Sequence, residues 1–144
     1  MRLPLLLLSV LLIACSSKPD SATFLEKAAA EPGAVKTPSG LVYRELRPGT
    51  GPTPEATDMV TVNYRGTLID GTEFDSSYKT NEPAQFPLNH VIPCWTEGVQ
   101  KMKVGGKSKL VCPAAIAYGE KGSPPVIPPD ATLVFEVELL AIGH

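Results

Sequence analysis

The stretch VIPCWTEGVQ, residues 91–100, carries the chain's only tryptophan beside a cysteine and just behind a proline. Pro93 suits the first position of a helix, because the N–H it lacks is one that a helix start leaves unpaired in any case. Trp95, Val99 and Met102 then fall at i, i+4 and i+7, on one face of a helical wheel. Glu97, Lys101 and Lys103 cover much of the rest, and Gly105 and Gly106 read as the stop signal. On periodicity alone Trp95 belongs to the core.

Short strand patterns cut by proline and glycine lie on either side. VTVNYRG sets Val60, Val62 and Tyr64 against Thr61, Asn63 and Arg65, the alternation of a half-buried strand. LIDGTEF puts Asp70 and Gly71 between two such pieces, which predicts a hairpin. TLVFEVELLAI alternates Leu133, Phe135, Val137 and Leu139 against Glu136 and Glu138, so one face is solvated. KSKLVC supplies another strand and GLVYREL a weaker first one. One short helix against an antiparallel sheet is an α+β domain.

The beginning of the chain reads as an export signal, with Arg2 followed by an apolar run over residues 3–13. That run is too short to cross a bilayer as a helix. It ends in LIAC, residues 12–15, which resembles the lipobox of bacterial lipoproteins, where cleavage precedes a cysteine that is then acylated. The resemblance implies a leader over residues 1–14, lipidation of Cys15 and a lipidated tether over 15–37. Ser16 resembles the sorting pattern for the periplasmic side of the outer membrane. A cleaved soluble secretory signal is the alternative. Several acyl chains together anchor stably. EKAAAEPG offers a short helical turn that Pro32 and Gly33 end. No sustained apolar heptad accompanies it, so a monomer is expected.

Export favours paired thiols, and setting Cys15 aside leaves Cys94 and Cys112 for one disulfide. Two separate buried thiols are the alternative. The remaining length is enough for one domain. The formal charge of −2 becomes −3 once Arg2 leaves with the leader, with no basic stripe, so nucleic acid is not an expected partner. His90 and His144 are far apart and lack partners at ligand spacing, so no metal site is expected. No nucleophile elbow surrounds Ser76 or Ser77, and GTG and VGGK lack a phosphate-loop spacing.

What remains is a density of aromatics and proline-bearing loops. Tyr64 in VNYRG, Phe74 and Asp75 in FDSS, Val91, Ile92 and Trp95 in VIPCWTEGVQ, Tyr118 in AYG, and Ile127 with Phe135 in IPPDATLVFEVELL follow one another over residues 38–142. Together they resemble the FKBP family of peptidyl-prolyl cis-trans isomerases, its exported bacterial members in particular. The resemblance implies a domain over 38–144 built as a five-stranded antiparallel sheet curled around one short helix. It implies catalytic roles for Tyr64, Phe74, Asp75, Trp95, Tyr118 and Phe135, and substrate binding by Val91, Ile92, Val126 and Ile127. Trp95 becomes the floor under a proline ring, and the Ile92 N–H a donor to a substrate carbonyl. The Tyr118 hydroxyl falls near the carbonyl before the proline, and Asp75 is a buried-edge carboxylate paired with the Tyr64 hydroxyl. Proline-containing polypeptides are the implied substrates and macrolides the implied inhibitors, with no cofactor. Thr80, Ala84 and Ser123 depart from the family pattern, where a basic residue, an aromatic and a histidine are common; these alter the rim and leave the floor. A non-catalytic proline-binding module or a chaperone is the competing reading. Ser77→Ala is expected to be silent.

Overall fold

The computed structural model describes residues 21–143, so the expected leader and Cys15 lie outside the described residues. Along the chain come helix α1 (Ser21–Ala29), strands β1 (Ala34–Lys36), β2 (Val42–Arg47), β3 (Met59–Leu68), β4 (Glu73–Ser76) and β5 (Ala84–Pro87), helix α2 (Pro93–Val99), and strands β6 (Lys107–Cys112) and β7 (Leu133–Gly143). Single 3-10 turns at Ser77–Lys79, Leu88–His90 and Ala114–Ile116 connect some of them.

All pairings are antiparallel, in the order β1-β2-β6-β7-β3-β4, with β5 also on β3. β7 runs along one edge of β3, while β4 takes residues 65–67 of the other edge and β5 takes residues 59–62. β4 and β5 are therefore one interrupted row. Without β1 this makes the five rows expected, against seven strand segments observed. The hairpin between β3 and β4 follows from Asp70 and Gly71. Gly71 takes the left-handed conformation (φ 92°) and donates to Leu68 O at 3.0 Å, and Asp70 Oδ1 accepts from Thr72 N at 2.9 Å.

The main core lies between one sheet face and α2. β3 contributes Val60, Val62 and Tyr64, β6 contributes Leu110 and Cys112, and β7 contributes Leu133, Phe135, Val137 and Leu139. Trp95, Val99 and Met102 meet them, as the wheel predicted. The helix is shorter than expected, however, ending at Val99 rather than running toward Gly105. Its chain continues in tighter turns, Lys101 N donating to Gly98 O and Met102 N to Val99 O, which carry Met102 back into the core. The glycines instead start the approach to β6: Gly105 N donates to Leu139 O at 2.8 Å and Leu139 N to Gly106 O at 3.0 Å. Gly98, inside the helix, costs about 1 kcal/mol in propensity. A Cβ there would run into Leu110, so the glycine is what lets α2 approach the sheet.

Cys94 and Cys112 form a disulfide, with Cα atoms 5.9 Å apart, that fastens the first turn of α2 to the end of β6. Both residues are fully buried. The closed loop spans 18 residues, worth about 3 kcal/mol in a chain-entropy treatment.

The opposite sheet face carries a second, smaller cluster. Val42, Val111 and Val134 alternate with residues of the main core and so point the other way, where Phe24, Leu25 and Ala28 of α1 cover them. Glu31, just after α1, pairs with Arg44 of β2 at 2.6 Å and Lys109 of β6 at 3.4 Å. The segment expected as tether thus packs on the sheet from Ser21 through Lys36, because the outward valines need cover.

Candidate active site

Trp95, 4 % exposed, is the centre of an aromatic cluster. Tyr64, Phe135 and Phe86 each meet it edge-on, with ring centroids 5.2, 5.4 and 5.6 Å away and planes 85–90° apart. Phe74 continues the chain of rings onto Phe135 at 5.6 Å. Edge-to-face pairs of this kind each add about 0.5–1.5 kcal/mol beyond their burial. The indole N–H of Trp95 is buried with no hydrogen-bond acceptor among the described residues, a donor enclosed by rings.

Each ring is placed by a different element. Tyr64 is an inward position of β3 and Phe135 an inward position of β7, by strand alternation. Phe74 is the extra residue of a bulge, since Gly66 pairs with Asp75 and Thr67 with Glu73, and the bulge re-aims it. Gly66 makes the space: a Cβ there would lie 2.6 Å from Phe74 Cζ and 2.9 Å from Phe135 Cε1. Phe86 arrives through pairing of β5 with Val60 of β3.

Above these rings opens a cavity of about 480 Å³, walled also by Val91, Ile92, His90, Asp75 and Tyr118. Ile92 is extended (φ −58°, ψ 147°) at the start of α2, and its carbonyl accepts from Trp95 N at 2.9 Å. Tyr118 is 41 % exposed at the mouth. The Tyr64 hydroxyl donates to Asp75 Oδ2 at 2.5 Å, and Asp75 Oδ1 accepts from Ser76 N at 2.9 Å. Burial above all, then the bond to Asp75 and its negative charge, push the Tyr64 hydroxyl far above its ordinary range, so it stays a neutral donor. Asp75 makes no ion pair among the described residues, in keeping with Thr80 at the position of the usual basic residue. It stands exposed on the rim rather than at a buried edge.

The family model for FKBP-type peptidyl-prolyl cis-trans isomerases matches residues 51–140. The chain belongs to that family. The FKBP-type isomerase FkpA of Aeromonas hydrophila is 56 % identical over 119 residues, which are 83 % of this chain and 44 % of that protein. The outer membrane protein MIP of Legionella longbeachae is 43 % identical over 126 residues, 88 % of this chain and 54 % of that protein. The crystal structure of FkpA from Escherichia coli matches with a TM-score of 0.82 at 52 % identity, covering 85 % of this chain and 57 % of that one. The chain therefore spans about half the length of these relatives.

In this FKBP domain Tyr64, Phe74, Asp75, Val91, Ile92, Trp95, Tyr118 and Phe135 converge on one cavity. Two expected substrate contacts fall outside its lining. Ile127 is buried in the core behind it, and Val126 is 51 % exposed on the proline-rich loop. Phe86 and His90 line the cavity without having been singled out as site residues; the pairing that brings Phe86 in is long-range, and His90 reads as surface. Ser77 holds the backbone of a wall residue. It is buried, its Oγ accepts from Tyr64 N at 2.9 Å and reaches Asn63 Oδ1 at 3.2 Å, so Ser77→Ala would strip a partner from the backbone of a wall residue.

Proposed function

We propose that this FKBP domain accelerates cis-trans rotation about X-Pro bonds in exported polypeptides as they fold. The observation that carries the reading is Trp95, held on three sides by edge-on rings and facing an open cavity. Rotation about the amide faces a barrier of about 18–20 kcal/mol and makes or breaks no covalent bond. Water stabilises the planar amide by hydrogen-bonding its charge-separated carbonyl. A proline ring seated on Trp95 between Tyr64, Phe74, Phe86 and Phe135 loses some of that water, which favours the twisted, less polar state. Each tenfold in rate requires about 1.4 kcal/mol of preference for that state. The Tyr64 hydroxyl, committed to Asp75, adds no competing donor. The N–H of Ile92 and the hydroxyl of Tyr118 hold the flanking carbonyls. A macrolide inhibitor would compete for the same surface.

Turnover of a short X-Pro peptide and a proline-limited refolding reaction test this. Trp95→Leu and Phe135→Tyr should lower both rates by tenfold or so, about 1.4 kcal/mol each. Asp75→Asn should act modestly, since no proton is transferred; a loss as complete as that of a catalytic base would overturn the mechanism. Binding of proline peptides without any acceleration would favour the binding-module reading instead.

The anchor is part of the same proposal. LIAC at residues 12–15 and the likeness to an outer membrane protein support acylation of Cys15 and attachment to the periplasmic side of the outer membrane. Globomycin should block processing of the full chain, and Cys15→Ser should release the protein from the membrane fraction. A Cys15→Ser variant that stays membrane-bound, together with processing that is insensitive to globomycin, would exclude lipidation.

A further inference from the structure

We infer that the proline cavity continues over Val91 into a groove on α2, bearing the carboxylate of Glu97, that holds a lysine or arginine side chain of the same polypeptide, near its target proline. The inference rests on the isomerase reading above. Val91 walls both depressions. The turn Leu88–His90 divides them, His90 toward the cavity and Asn89 toward the groove, whose remaining wall is Pro93, Thr96, Glu97 and Gln100. No basic residue lines it. Lys101 and Lys103, close in sequence, line a different depression with Tyr43 and Ser108.

The groove offers acceptor oxygens on Thr96, Glu97 and Gln100. The Thr96 hydroxyl spends its hydrogen on Leu88 O at 2.7 Å, and Gln100 Nε2 donates to Thr96 O at 2.7 Å, which leaves the Gln100 side-chain carbonyl as an acceptor. Glu97 Oε1 accepts from Ser39 Oγ at 2.5 Å, and Glu97 forms no ion pair among the described residues. Val91 and Pro93 offer apolar surface for the methylene stem of a basic side chain, with the carboxylate placed for its head. Val91 is common to both depressions, and an extended chain advances about 3.3 Å per residue, so residues two to five positions from the proline lie roughly 7–17 Å along the chain from it.

The test is turnover of X-Pro peptides that carry lysine, or glutamate in its place, at successive positions two to five residues on either side of the proline. At one position or one run of positions kcat/KM should favour lysine about two- to fivefold, through KM, and the preference should fade with salt. Glu97→Gln should bring the lysine-to-glutamate ratio to near one and Glu97→Lys should invert it, while Ser39→Ala, which removes the hydrogen bond and keeps the charge, should preserve it. Equal turnover of lysine and glutamate peptides at every position, or a lysine preference that survives Glu97→Lys, would overturn the groove. If no peptide is turned over, the isomerase reading fails by itself; amide chemical shifts of Asn89 and Gln100 on adding the lysine peptide then decide whether the groove binds, and unmoved shifts reject it.

Discussion

The two faces of the sheet are built from the same strands and have little else in common. Along β2, β6 and β7 alternate residues serve one side and then the other, yet the inner side packs Trp95 and a connected set of rings, and the outer side Phe24, Leu25 and a few alanines over three valines. The inner side is tied by a buried disulfide, the outer by ion pairs of Glu31 that stand about one-third exposed. A cavity that must keep its shape while peptides come and go needs rigid walls, whereas a covering helix needs only to exclude water. The difference predicts that damage inside changes stability and turnover together, and damage outside changes stability alone.

Replacing Cys94 and Cys112 together by alanine should have the largest effect, about 3 kcal/mol from the closed loop, read as a lower denaturant midpoint. Turnover should fall as well, because Cys94 adjoins Trp95 on α2. Phe24→Ala should remove about 1–2 kcal/mol of apolar cover from the outer face with kcat/KM unchanged; a drop in turnover would mean that the faces are coupled through β6 and β7. Alkaline pH probes the inner face again. The Tyr64 hydroxyl ionises less readily in the folded chain than in the unfolded one, chiefly through burial, so its contribution is complete below about pH 10 and is lost as the pH rises further. Tyr64→Phe should flatten the decline in stability above about pH 10, and an unaltered decline would remove the assigned cause. Glu31→Gln should matter least, at most about 1 kcal/mol and less in high salt, because its partners are partly in water.

Much of the inner face was legible in the sequence because its signals are local. Alternation alone placed Val60, Val62 and Tyr64 or Leu133, Phe135 and Val137 on one side, and Asp70 with Gly71 marked their hairpin. The wheel through Trp95, Val99 and Met102 found the buried side of α2 but not its end, since a helix that must clear Leu110 through Gly98 obeys packing before it obeys glycine stop signals. The outer face was not legible. The alternation of the last strand predicts a solvated second face, and nothing near Phe24 in sequence says that it will cover Val42, Val111 and Val134 there. Phe86 was missed for the same reason, as its place beside Tyr64 and Trp95 exists only after β5 pairs with β3.

Gly66 gives the cavity a direction of change. The space beside it is already filled by Phe74 and Phe135, so any side chain at 66 must displace a ring, and the position cannot drift by itself. A lineage that altered it would have to shrink residue 74 or 135 in the same interval. Residues 66, 74 and 135 should therefore change as a set across descendants of this chain, with glycine retained wherever both phenylalanines are.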